Sequence, residues 1–186
     1  MDLSKVSKGG QIFAGAGIVF LIASFLPWYK AEASFGGFSA SETASAWGDL
    51  GFLWGSLWAL LLLAGAVLLV LPAFGVAAPK LPAIAYLGVA GLATVFTVLK
   101  LIIGEDEAPE LGITVDASFG LYLAIIAAAA ATFGAFTMFK ESGGSLTDLK
   151  DPNKLKASFG GGHPGGSTPP PPPPPGMTPP PPPPAG

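Results

Sequence analysis

The stretch LWALLLLAGAVLLVLPAF, Leu57–Phe74, contains no charged side chain. Wound into a helix at 1.5 Å per residue it reaches about 27 Å, close to the roughly 30 Å of hydrocarbon in a bilayer. A helix apolar on every side suits lipid, because in water it would have no solvated face. Three further stretches share this character: about 10–28, containing QIFAGAGIVFLIASFLPW, then about 81–103 and about 119–139. With the stretch from about 51 to 74 they make four spans. The expected fold is an all-α membrane protein, a bundle of four transmembrane helices followed by a disordered, proline-rich C-terminal tail. The domain limits are 1–139 for the bundle and 140–186 for the tail.

Composition agrees. Of 186 residues 51% are hydrophobic and 11% charged, whereas soluble domains carry about a quarter charged residues. Cysteine is absent, which removes disulfides, thiolate nucleophiles and Cys-based zinc sites. Every basic side chain is lysine, and the net charge is −3. Nucleic acid is therefore not expected as a partner, since bidentate phosphate contacts favour arginine and binding surfaces are basic.

Lysine placement sets the expected orientation. Lys5, Lys8, Lys80, Lys140, Lys150, Lys154 and Lys156 fall on one side, and Lys30 and Lys100 on the other. The positive-inside rule then puts both termini in the cytoplasm of a multi-pass plasma-membrane protein. An alternative is open for the first span: Lys5 and Lys8, an apolar run and Ala31-Glu32-Ala33 imitate a cleavable signal peptide. The aromatic residues Trp28, Tyr29, Trp47, Trp54 and Tyr122 lie near span boundaries and are expected in the headgroup belt. Pro27 and Pro72 are expected in the last turns of their helices, with Pro82 opening the third. Residues 29–50, rich in Gly, Ser and Ala, are expected to cap the bundle.

Small residues recur at helical spacing. Gly10, Ala14 and Gly17 form a stripe on the first span; Gly55 and Ala59 lie four apart on the second. Gly120, Ala124, Ala127, Ala131 and Gly134 make a small face on the fourth. Such faces let backbones approach in lipid, either inside one chain or in a homo-oligomer.

Groups for catalysis are scarce. Lys100 is the one charge near a span and is expected to snorkel to the interface, no acid or histidine lying within a span to pair with it. The acidic run Glu105, Asp106, Glu107 and Glu110 lacks the spacing and glycine of a calcium loop. Asp49 and Asp116 are candidate helix N-caps. His163 stands alone in GGGHPGG. No cofactor or metal site is expected, and the chain is not read as an enzyme.

The tail carries the interaction signal. One proline run comprises Pro169, Pro170, Pro171, Pro172, Pro173, Pro174 and Pro175; the second comprises Pro179, Pro180, Pro181, Pro182, Pro183 and Pro184. Each follows a threonine, Thr168 or Thr178. Polyproline II segments are partly pre-ordered, so docking in an aromatic-lined groove costs little entropy. A cytoplasmic polyproline-binding protein is the expected partner, making the chain a scaffold or tether. The alternatives are an inert spacer for the tail and, for the bundle, a small pore or accessory subunit of a transporter.

A four-span body with FLPWY (Phe25–Tyr29) closing its first helix, followed by a Gly/Pro-rich tail, resembles small uncharacterised membrane proteins of actinobacteria. The resemblance implies a bacterial plasma membrane and carries over no functional residue. WGDLGFLW (Trp47–Trp54) is similar to the tryptophan-rich first loop of four-span junction proteins, but the paired cysteines of that family are absent.

Overall fold

A computed structural model describes residues 6–35, 37–48, 50–105, 113–144 and 153. Its helices are α1 (Lys8–Phe25), α2 (Ser56–Val70), α3 (Ala83–Ile103) and α4 (Phe119–Glu141). A single 3-10 turn, Leu71–Phe74, prolongs α2. All four, α2 together with its 3-10 turn, are long and apolar enough to cross a membrane.

The all-α expectation is corrected by a three-stranded antiparallel sheet, in the order β2-β1-β3, with β1 (Tyr29–Phe35), β2 (Phe38–Ala44) and β3 (Ile113–Ala117). β1 and β2 form a hairpin in which Phe35 pairs with Phe38. Gly37 has φ of 87°, the left-handed backbone that such tight turns require. In β1, Tyr29, Ala31 and Ala33 are at least half-buried, whereas Lys30, Glu32 and Ser34 are exposed. This alternation is that of a strand with one wet face. Asp116, a candidate helix cap, lies in β3 opposite Lys30 instead; the N-cap of α4 is Ser118. The N-cap of α2 is Gly55, and Asp49 lies outside the described residues. Ala31–Ala33, the signal-cleavage mimic, is paired on both sides in the middle strand.

The FLPWY junction joins helix to sheet. Leu26 leaves α1 in extended conformation, so Pro27 lies beyond the helix rather than in its last turn. Pro27 and Trp28 carbonyls accept from Gly120 and Ser118 amides at 2.9 and 2.7 Å, fixing the start of α4. Trp28 and Tyr29 are 0% and 3% exposed, so neither belongs to a lipid-facing belt. The Trp28 indole donates at 2.9 Å to the Ala23 carbonyl, which also accepts from the Leu26 amide at 3.1 Å, so two donors close the helix end. Trp47 and Tyr122 remain exposed.

The helix contacts run in the order α2-α1-α4-α3, most extensive between α1 and α4, while α2 and α3 meet little. In lipid no apolar drive pulls helices together, so close packing and polar bonds must do so. The α1–α4 crossing supplies the packing. A Cβ on Gly134 would come 2.6 Å from the Phe13 amide nitrogen and 2.8 Å from the Gly9 carbonyl oxygen. Between α3 and α4 the Thr94 and Thr132 hydroxyls meet at 2.9 Å. Phe13 and Tyr86 cross the interior edge-to-face, with centroids 5.4 Å apart. The opposite flanks carry exposed Ile18, Ile22, Leu92, Val95, Ile126 and Phe133, an apolar surface suited to acyl chains.

Candidate functional site

The two ends of the bundle differ. At the sheet end, Lys100 lies in the last turn of α3 and is 5% exposed. This corrects the expectation of a snorkelling lysine without an acidic partner. Its ammonium meets Glu105 Oε1 at 2.5 Å and donates to the Gly104 carbonyl at 3.1 Å. It also stands 5.5 Å from the ring centroids of Tyr29 and Trp54. The Tyr29 hydroxyl donates to the Lys100 carbonyl at 2.6 Å.

The chain folds this way because α3 stops at Gly104, whose φ of 73° and ψ of −158° belong to a region used almost only by glycine. That turn returns Glu105 toward the side chain five residues earlier. The cluster ties α3, the central strand and the segment before α2 together. A cation enclosed by a carboxylate, a carbonyl and two ring faces is held in place by all of them. Burial, with the Glu105 carboxylate and then Tyr122 adding to it, pushes the Tyr29 phenol up to about 12. On the wet face of β1, Lys30 and Glu32 form an exposed pair, which raises the lysine and lowers the glutamate. Surface pairs of this kind contribute little.

Beside the clasp lies a cavity of about 200 Å³ bounded by Tyr29, Glu42, Thr43, Leu50, Glu105 and Val115. At the other end, where α1 and α3 begin and α2 and α4 finish, is a larger one of about 460 Å³. Val6, Leu68, Leu69, Leu81, Tyr86 and Met138 give it an apolar wall, and Lys80, Glu141, Ser7 and Ser142 its polar positions.

No family model, curated protein or solved structure matches this chain.

The small residues singled out in the sequence are all buried within the one chain: Gly10, Ala14, Gly17, Gly55, Ala59, Gly120, Ala124, Ala127, Ala131 and Gly134. They do different work. Gly134 faces α1, Gly17 lies against the Leu62 carbonyl of α2, and Gly120 against the Pro27 carbonyl. Gly55 meets Ala46 of the segment after β2, not another helix. A Cβ on Gly10 would first meet its own turn, at Val6 and Ser7, whereas one on the adjacent Gly9 would strike the Gly134 carbonyl and the Met138 amide, each at 2.6 Å. Gly9 and Gly65, which accommodates the Phe13 ring, belong to the packing set although the spacing did not single them out.

The proline runs, His163, Thr168 and Thr178 lie outside the described residues, as do Asp106, Glu107 and Glu110 of the acidic run. Among the described residues no three acids or histidines converge on a metal-sized space.

Proposed function

We propose that the protein is a non-enzymatic, multi-pass scaffold of the plasma membrane that recruits a cytoplasmic polyproline-binding protein through its tail. The observation carrying this reading is the pair of proline runs, 169–175 and 179–184, on the chain that leaves α4 at the bundle end opposite the sheet. Lysine bias supports assigning that end to the cytoplasm, with the sheet outside and the first span retained. Retention is also favoured by β1, because cleavage near Ala33 would cut the middle strand and remove the helix that packs most extensively on α4.

The bundle's interior supports a holding rather than a conducting role. Phe13, Phe20, Leu62, Leu121 and a series of alanines fill it. Its hydroxyls are committed: Thr97 donates to the Ala93 carbonyl at 2.8 Å and Ser24 to the Leu21 carbonyl at 2.6 Å. The small-residue faces that suggested a pore or an accessory subunit are spent inside one chain, so assembly with further copies would use other surfaces.

The test is affinity capture on the full chain in detergent, beside a variant with both proline runs replaced by Gly-Ser repeats of equal length. The expected result is a retained cytoplasmic protein with an aromatic-lined groove, displaced by free hexaproline and absent from the variant. Deleting one run should weaken retention by about tenfold or more, through lost avidity. Equal retention by both chains would overturn the proposal.

A further inference from the structure

We propose that the 460 Å³ cavity at the bundle end away from the sheet holds a single phospholipid with a zwitterionic, primary-amine headgroup of the phosphoethanolamine class. Its size falls within the roughly 300–1,000 Å³ of small-molecule sites. It lies where α2, α3 and α4 end or begin, beside the seam at which α2 and α3 touch least. A sparsely packed seam of this kind is the natural place for an acyl chain to enter from the side. The wall it would meet is apolar: Leu68 and Leu69 from α2, Tyr86 from α3 and Met138 from α4.

The polar positions select the headgroup. The Ser7 hydroxyl already accepts from the Gly10 amide at 3.2 Å, and the Ser142 hydroxyl donates to the Phe139 carbonyl at 2.7 Å. Pro72 and Pro79 contribute no amide donors. Lys80 and Glu141 are the charged positions of the lining, both exposed, one of each sign, and without an ion-pair partner among the described residues. A lysine ammonium donates to a lipid phosphate. A glutamate carboxylate accepts from a primary ammonium but receives no hydrogen bond from a trimethylated one. A phosphoglycerol headgroup offers Glu141 no cation and adds uncompensated negative charge beside it. Paired plus and minus groups therefore match phosphoethanolamine better than phosphocholine or phosphoglycerol.

The experiment is native mass spectrometry of the full chain in mild detergent with equimolar dioleoyl phosphatidylethanolamine, phosphatidylcholine and phosphatidylglycerol. One phosphatidylethanolamine adduct is expected, favoured over the other two by about fivefold, the scale of one partly exposed charge contact. K80E and E141K, changes at exposed positions outside the helix packing, should each remove that preference. A78W, placed in the loop lining the cavity, should lower adducts of all three lipids. Equal adducts on the unaltered chain, or a preference that survives both charge reversals, would overturn the proposal. So would adducts that form only after residues 145–186 are removed, which would make the chain's own tail the occupant.

Discussion

Replacing Gly134 with leucine is expected to destabilise the bundle by about 3 kcal/mol or more, measured as resistance to unfolding in detergent or bicelles. The atoms a Cβ would strike are backbone, the Phe13 amide nitrogen and the Gly9 carbonyl oxygen, and backbone cannot rotate away as a side-chain tip can. α1 must therefore withdraw from α4, and the loss spreads along the most extensive helix contact in the molecule. Dispersion is what holds helices together in lipid, and it falls steeply with a gap of an ångström. Gly91 supplies the comparison. It lies on α3, and a Cβ there would meet no atom within 4 Å, so Gly91→Leu should cause no loss of stability, and leucine's better helix propensity adds at most about 1 kcal/mol. Equal losses at the two positions would mean that the α1–α4 crossing is not where the bundle's stability resides.

Breaking the Lys100 clasp should be the second large effect. Glu105→Ala leaves an ammonium 5% exposed with only the Gly104 carbonyl and two ring faces around it. Removing one partner of a buried ion pair costs about 3–5 kcal/mol, and the partial exposure of Glu105 lowers that to about 2 kcal/mol here. Lys100→Met should cost less, because its stem packing is retained and the carboxylate can turn toward water. The double variant should recover part of the loss relative to Glu105→Ala alone, the coupling that a thermodynamic cycle reads. Additive losses, with no recovery, would mean that the two side chains contribute independently.

How much of this was legible in the chain follows from what enforces each feature. The spans were legible because bilayer thickness and backbone hydrogen bonding leave helices few alternatives. Their ends shifted by a few residues where Pro27 and Leu26 turn the chain from α1 into the sheet. The sheet was legible only in part. Tyr29, Ala31, Ala33 and Phe35 alternate with Lys30, Glu32 and Ser34, and Gly36-Gly37 is a hairpin signal. Alanine and serine make that alternation faint, and a Gly/Ser/Ala-rich segment reads first as loop. The pairing of β1 with β3 joins residues 29–33 to 113–117, and no local pattern marks it.

The packing glycines show the same limit. Periodicity placed a stripe through Gly10, Ala14 and Gly17, but the tight contact falls on Gly9, one residue and about 100° of helix away. Lys100 was read as interfacial because its acid lies beyond the helix end. The glycine at 104 is what brings the two together, and a glycine stop followed by an acid is the pattern that could have shown it.

Four crossings would place the sheet and the tail on opposite sides of one membrane, since α2, α3 and α4 lie between β2 and the tail. The chain has no cysteine, so single substitutions give clean reporters. Ser41→Cys on the exposed β2 should react with a membrane-impermeant maleimide on intact cells. Ser158→Cys in the tail should react only after the membrane is opened. Equal labelling of both on intact cells would contradict the four-span account.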